Sequence, residues 1–273
     1  MAEIKGGQLA HTFVRRVDAH DVRGLRPLGA VHPFDQAVEQ VSQSLRLGVD
    51  AVEFDVQRTV DGVPVVIHDD TLDRTTNGSG RVKDQTIAAI RSLDAGSHFA
   101  PRFAGERVPS LADVLEWARP QSVELVLELK QPAPASAVPR DDGLVASVLE
   151  LIHSGGLLER TLFISFDHPS IAQVLAREPS ARTALLTEGP AFVDPLAPAR
   201  AVPGTLGLHV RWWWVSARLC AEAHAAGMHV HAWGLGRPIS GDVVRRLVAF
   251  GVDSLSADAP DELVALLRSE GLR

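Results

Sequence analysis

A single cysteine, Cys220, in 273 residues leaves no intramolecular disulfide to form, so the fold rests on its apolar core. No apolar run approaches the roughly 18–20 residues that a membrane-spanning helix needs, and no secretory leader is visible, so a cytoplasmic protein without stable membrane insertion is expected. The cationic surplus of nucleic-acid binders is missing too. Lys and Arg number 27 against 34 Asp and Glu, a formal net charge of −7, and nucleic acid is not an expected partner. Neither a G-x-G-x-x-G turn nor a Walker A loop occurs, which removes the usual grounds for a doubly wound nucleotide-binding sheet. What remains, 45% hydrophobic and 22% charged residues, is the composition of an ordinary globular chain with a large core.

Short β-branched runs recur along the chain, each followed by an Ala/Leu/Arg-rich stretch of helical spacing. Strands are expected at Ala51–Val56, Leu125–Lys130, Thr161–Phe166, Thr183–Thr187, Leu206–Val210, His229–Leu235 and Asp253–Ala257, with an eighth inside Thr12–His20. Eight such units predict a single parallel β/α (TIM) barrel spanning residues 1–273. Residues 64–106, rich in Asp, Gly, Thr and Arg, break the rhythm and are expected as an insertion after the second strand. Gln131–Pro139 reads as a long loop after the third strand rather than a linker, because the rhythm resumes beyond it.

Side chains alternate along a strand, so Glu53 and Asp55 share one face, the interior of the expected barrel, while Phe54 takes the other. Two interior carboxylates repel unless a cation or a shared proton compensates; the pair is a metal site, an acid/base pair, or a loop cap beside an arginine-paired glutamate. Glu128 adds a third carboxylate from a strand too apolar to lie on the surface, with Lys130 on its face. His68 ends the run Val63–His68 and precedes Asp69 and Asp70, either of which is placed to orient its ring. The turn-forming stretch Asp70–Gly80 suits tight turns with Arg74 on a carboxylate, or a backbone cradle for an anion.

The run from Leu47 to Val56, the run Asp61–Gly80 with its His68-Asp69-Asp70-Thr71-Leu72-Asp73-Arg74-Thr75-Thr76-Asn77-Gly78, and Glu128-Leu129-Lys130 together resemble the glycerophosphodiester phosphodiesterase family. Looser similarity continues through Phe163–Asp167, Ala223–Gly227, His231-Ala232-Trp233 and Gly251-Val252-Asp253. The resemblance implies an eight-stranded β/α barrel and hydrolysis of small glycerophosphodiesters to glycerol 3-phosphate and an alcohol. It implies Glu53, Asp55 and Glu128 as ligands of one divalent cation, Mg²⁺ or Ca²⁺, His68 as one of two acid/base histidines, Lys130 as a phosphate contact, and Trp233 as a wall for the alcohol.

The opening departs from the family, whose first strand ends in His-Arg-Gly followed by Pro-Glu-Asn-Thr. Here Asp18-Ala19-His20-Asp21-Val22-Arg23-Gly24-Leu25-Arg26-Pro27-Leu28 stands in its place. The alignment makes His20 the second histidine, with His11 and His32 as rivals, and leaves Arg23 or Arg26 to replace the lost arginine. The altered loop sets two alternatives beside hydrolysis: a barrel that binds a phosphodiester with weak or no turnover, and a phospholipase D-type activity on lysophospholipids. A zinc site on His229 and His231, which share a strand face with Trp233, is a further reading. Trp212-Trp213-Trp214 either packs its loop or binds an apolar moiety, Asp167 either caps the next helix or reaches the pocket, and Cys220 is expected buried.

Overall fold

Near-continuous apolar runs become strands here because the strands are covered on both faces, by helices outside and by side chains inside. The computed structural model describes residues 46–98, 100–132, 139–188 and 194–272, together with the backbone of 11–15. The strands are β1 (His11–Arg15), β2 (Ala51–Arg58), β3 (Pro64–Val66), β4 (Glu124–Leu129), β5 (Thr161–Ser165), β6 (Arg182–Thr187), β7 (Gly207–Arg211), β8 (His229–Leu235) and β9 (Ser254–Ala257). The seven strands expected from residue 51 onward are all present, each within two residues of its expected bounds.

In the ring, β2, β4, β5, β6, β7, β8 and β9 follow one another, each parallel to the next. β1 pairs with both β9 and β2 and closes it into an eight-stranded, TIM-type barrel. One detail differs from the expected all-parallel arrangement: β1 runs antiparallel to both neighbours, with Thr12 opposite Ala257 on one side and Val52 on the other. A closing strand must satisfy the two open edges, and either direction supplies the needed N–H and C=O groups.

Outward residues of the strands, such as Val52, Phe54, Leu127, Phe163 and Leu208, pack on the helices in the main core. Inward residues form a smaller cluster of Ala51, Val126, Leu162, Ile164, Ala184 and Leu186, with Trp233 packed against it. The insertion opens with β3, which pairs antiparallel with β2, and it has an apolar centre of its own built from Val65, Ile67, Leu72, Val82, Ile90, Ala95 and Val108. Gly96 is required there, because a Cβ would lie 1.8 Å from the Phe103 carbonyl oxygen. Helix starts follow the sequence: Ser110 and Asp113 exchange hydrogen bonds in a capping box before Leu111–Ala118, and Asp167 caps His168–Arg177 through the Ser170 amide. Cys220 is buried, as expected of a small apolar residue.

Candidate active site

Because the strands of the ring are parallel from β2 to β9, their C-terminal ends form a single rim, where barrels of this kind carry their functional residues. The β2–β4 register sets Asp55 beside Glu128, and Glu53 lies two residues earlier on the same interior face. Each of the three carboxylates offers an oxygen within 4.8 Å of the other two, and Asp55 is almost fully buried. The Lys130 ammonium lies 3.2 Å from Glu128 Oε1 and 3.4 Å from Asp55 Oδ1. Burial pushes the Glu128 carboxyl up, to about 7, and the Asp55 charge adds to that, while Lys130 opposes it. For Lys130 burial works against the charge, but Asp55, Glu128 and Glu53 outweigh it and keep the ammonium firmly protonated.

Three carboxylates against one ammonium leave the cluster net negative, and Asp55 Oδ2 is buried without a hydrogen-bond partner among the described residues. A buried carboxylate oxygen in that state calls for a cation. An all-oxygen donor set of this charge suits a hard divalent ion.

His68 follows β3, where the Ile67 amide donates to the Asp55 carbonyl at 3.0 Å. Its Nδ1 is 2.7 Å from Asp69 Oδ1, and Arg74 clamps the same carboxylate with Nε to Oδ2 at 2.5 Å and Nη2 to Oδ1 at 2.7 Å. The Arg74 bonds, joined by that from His68, hold the Asp69 carboxyl down to about 2 against the cost of burial. Of the two candidate partners for His68, Asp69 is therefore the one used, and Arg74 pairs with a carboxylate as expected. The backbone under His68 is held by a residue the sequence reading overlooked: Gln57 Nε2 donates to the carbonyls of Ile67 (3.0 Å), His68 (3.3 Å) and Asp69 (2.7 Å). Its signal was the alternation itself, since Gln57 continues the Glu53, Asp55 face.

Trp233 stands on β8 with its Nε1 donating to the His209 carbonyl at 3.2 Å, and its ring meets Phe166 edge-on at 5.6 Å. The zinc reading of His229 and His231 is not supported. His231 is buried inside the barrel, with Nδ1 2.7 Å from Ser254 Oγ and Nε2 3.0 Å from Ser256 Oγ, and its ring stacks on His209 at 4.4 Å. Burial first, and neighbouring histidines second, hold His209 and His231 below the usual histidine range, so both are neutral core groups. Among the described residues the carboxylate triad is the one cluster suited to a metal. Of the tryptophan triplet, Trp212 and Trp214 pack against the core and Trp213 is exposed. His20, Arg23, Arg26 and His32 lie outside the described residues; the backbone of His11 is the register partner of Glu53.

Residues 26–262 match the glycerophosphoryl diester phosphodiesterase family. The glycerophosphodiester phosphodiesterase of Caldanaerobacter subterraneus is 32% identical over 237 residues, covering 87% of this chain and 93% of that protein. Among solved structures, an Oleispira antarctica phosphodiesterase in complex with the product sn-glycerol-3-phosphate is 25% identical with a TM-score of 0.73, covering 84% of this chain and 90% of the other. The glycerophosphodiester phosphodiesterase of Agrobacterium tumefaciens is 28% identical with a TM-score of 0.67, over 84% and 92%. No helix among the described residues is long and apolar enough to cross a membrane. With the barrel and the acidic rim cluster described, the chain belongs to the glycerophosphoryl diester phosphodiesterase family.

Proposed function

We propose that this chain hydrolyses small glycerophosphodiesters to glycerol 3-phosphate and an alcohol, using one divalent cation, Mg²⁺ or Ca²⁺. The observation that carries the reading is the convergence of Glu53, Asp55 and Glu128 beside Lys130 on the rim that also bears His68. The three carboxylates would hold the cation. When bound, such an ion offsets negative charge on the phosphoryl oxygens.

The protein's own groups account for the rest. Lys130, fixed as a cation, is a point charge for a phosphoryl oxygen. His68 has Nδ1 committed to Asp69, which leaves Nε2 as the nitrogen that exchanges a proton with the reacting oxygens. The Asp69 carboxylate favours the proton on Nδ1 and steadies the imidazolium that forms when Nε2 takes up a second. His20 is assigned as the second histidine, Arg23 as a further phosphate contact and Trp233 as a wall for the alcohol arm.

The test is release of glycerol 3-phosphate from a panel of glycerophosphodiesters, with and without chelator, for the wild type and for His68→Ala, His20→Ala and His11→Ala. Metal-dependent release that is abolished in His68→Ala is expected. Release from no member of the panel would leave the phosphodiester-binding alternative, and full activity in His20→Ala with loss in His11→Ala would move the second histidine to β1.

A further inference from the structure

Across the ring from β2, four strands away, the rim changes character. Arg211 ends β7, and its guanidinium carbon lies 4.2 Å from the centroid of Trp213 and 4.8 Å from that of Trp233. Its Nη1 donates to Glu188 Oε1 at 2.6 Å, from the end of β6. Phe166, just past β5, adds its ring edge-to-face against Trp233. Trp213 and Phe166 are 47% and 44% exposed, so large apolar rings stand open to solvent where folding alone would cover them. Trp233 rests on the same interior apolar layer, Ala51 and Val126 included, that underlies the carboxylates on β2 and β4. The carboxylates and this group therefore stand at the same end of the barrel.

Resting on the phosphodiesterase reading above, we infer that Arg211, Glu188, Trp213 and Phe166 form the subsite for the leaving alcohol and select an uncharged, polyhydroxylated alcohol, such as a cyclitol or sugar, over a quaternary ammonium alcohol. Exposed rings that receive choline do so by offering their faces to the cation. Here one face of Trp213 and one of Trp233 are already occupied by a cation of the protein's own. A second positive charge would meet a fixed guanidinium whose counter-ion, Glu188, is engaged. A polyol meets a better match. The Arg211 guanidinium, 29% exposed, carries N–H donors beyond the one that bonds Glu188. Glu188, half-exposed beside it, accepts from hydroxyls, and the exposed rings of Trp213 and Phe166 cover C–H faces. Charge neutrality of the Arg211–Glu188 pair leaves no preference for a charged arm of either sign.

The experiment compares kcat/KM for glycerophosphoinositol and glycerophosphocholine in the wild type, Arg211→Met and Glu188→Gln. Methionine keeps the packing between the rings, and Glu188→Gln leaves Arg211 stacked, so a folded protein is available from at least one variant. The wild type should prefer the inositol diester. Arg211→Met should cut that activity about tenfold, the scale of a lost bond to a charged donor, while choline turnover holds or rises. Tryptophan fluorescence titration with free myo-inositol and free choline gives a readout independent of turnover: quenching by inositol, lost in Arg211→Met, is expected. Equal loss on both substrates, or an unchanged ratio with unchanged quenching, overturns the inference while leaving hydrolysis intact. A wild type that hydrolyses neither diester but is quenched by inositol overturns the hydrolytic reading and keeps the subsite.

Discussion

Arg74 touches no part of the proposed reaction, yet its removal should slow turnover. It makes two hydrogen bonds to Asp69, at 2.5 and 2.7 Å, and Asp69 in turn holds the His68 ring, which is itself 45% exposed. Hydrogen bonds to charged groups contribute about 1.5–3 kcal/mol each when shielded. Arg74 is 43% exposed and Asp69 22%, so solvent screening reduces the pair's effect to about 1–2 kcal/mol, equivalent to a five- to thirtyfold change. Arg74→Met should therefore lower kcat by about tenfold with little change in KM and a Tm a few degrees lower, and Arg74→Lys should restore part of both. The pH dependence follows from Asp69, whose pKa is depressed from 3.8 to about 2. A depressed carboxyl contributes stability above its unfolded pKa, and that contribution disappears as pH falls from about 3.8 toward 2. Asp69 thus stays charged across any working pH of the wild type. In Arg74→Met its pKa returns upward, so weakening of the His68 bond should begin at a higher pH. Steady-state kinetics from pH 4 to 9, beside a thermal melt, test this. A kcat within about twofold of wild type, in a background where His68→Ala is inactive, would refute the proposed chain of support.

Adding Mg²⁺ or Ca²⁺ at about 100 times its Kd should stabilise the fold by about 2.7 kcal/mol, visible as a rise in Tm that chelator reverses and Asp55→Asn removes. Lys130→Met leaves three buried carboxylates without their ammonium and should destabilise the metal-free protein by about 3 kcal/mol, read by urea unfolding; the added cation should return part of that loss. Gly96→Ala drives a methyl against the Phe103 carbonyl and should open the insertion to limited proteolysis while the circular dichroism of the barrel persists.

The rim cluster was legible because period-2 alternation alone puts Glu53 with Asp55 and Glu128 with Lys130, and the apolar context of both strands excludes a surface setting. Strand positions were legible for the same reason, down to β8 at His229–Leu235. What alternation does not carry is which strands are neighbours and in what register they pair. Nothing in the string of residues sets Arg211 against Trp233, or Glu188 against Arg211, since those contacts join the ends of different strands. The direction of β1 escaped for a related reason: five residues of backbone specify a pairing edge without specifying its sense. The His229 and His231 face shows the opposite error, in which a pattern suited to a metal places His231 in the barrel interior as a neutral imidazole bonded to two serine hydroxyls.

The strand order has an evolutionary corollary. Glu53, Asp55 and Gln57 sit on one strand, so the proposed cation ligands of that strand and the anchor of the His68 hairpin are inherited as a unit, joined to Glu128 by one neighbouring ladder. The segments after β6 and β7 contribute nothing to that unit. Substitutions can therefore accumulate on that side without disturbing Glu53, Asp55, Gln57 or Glu128.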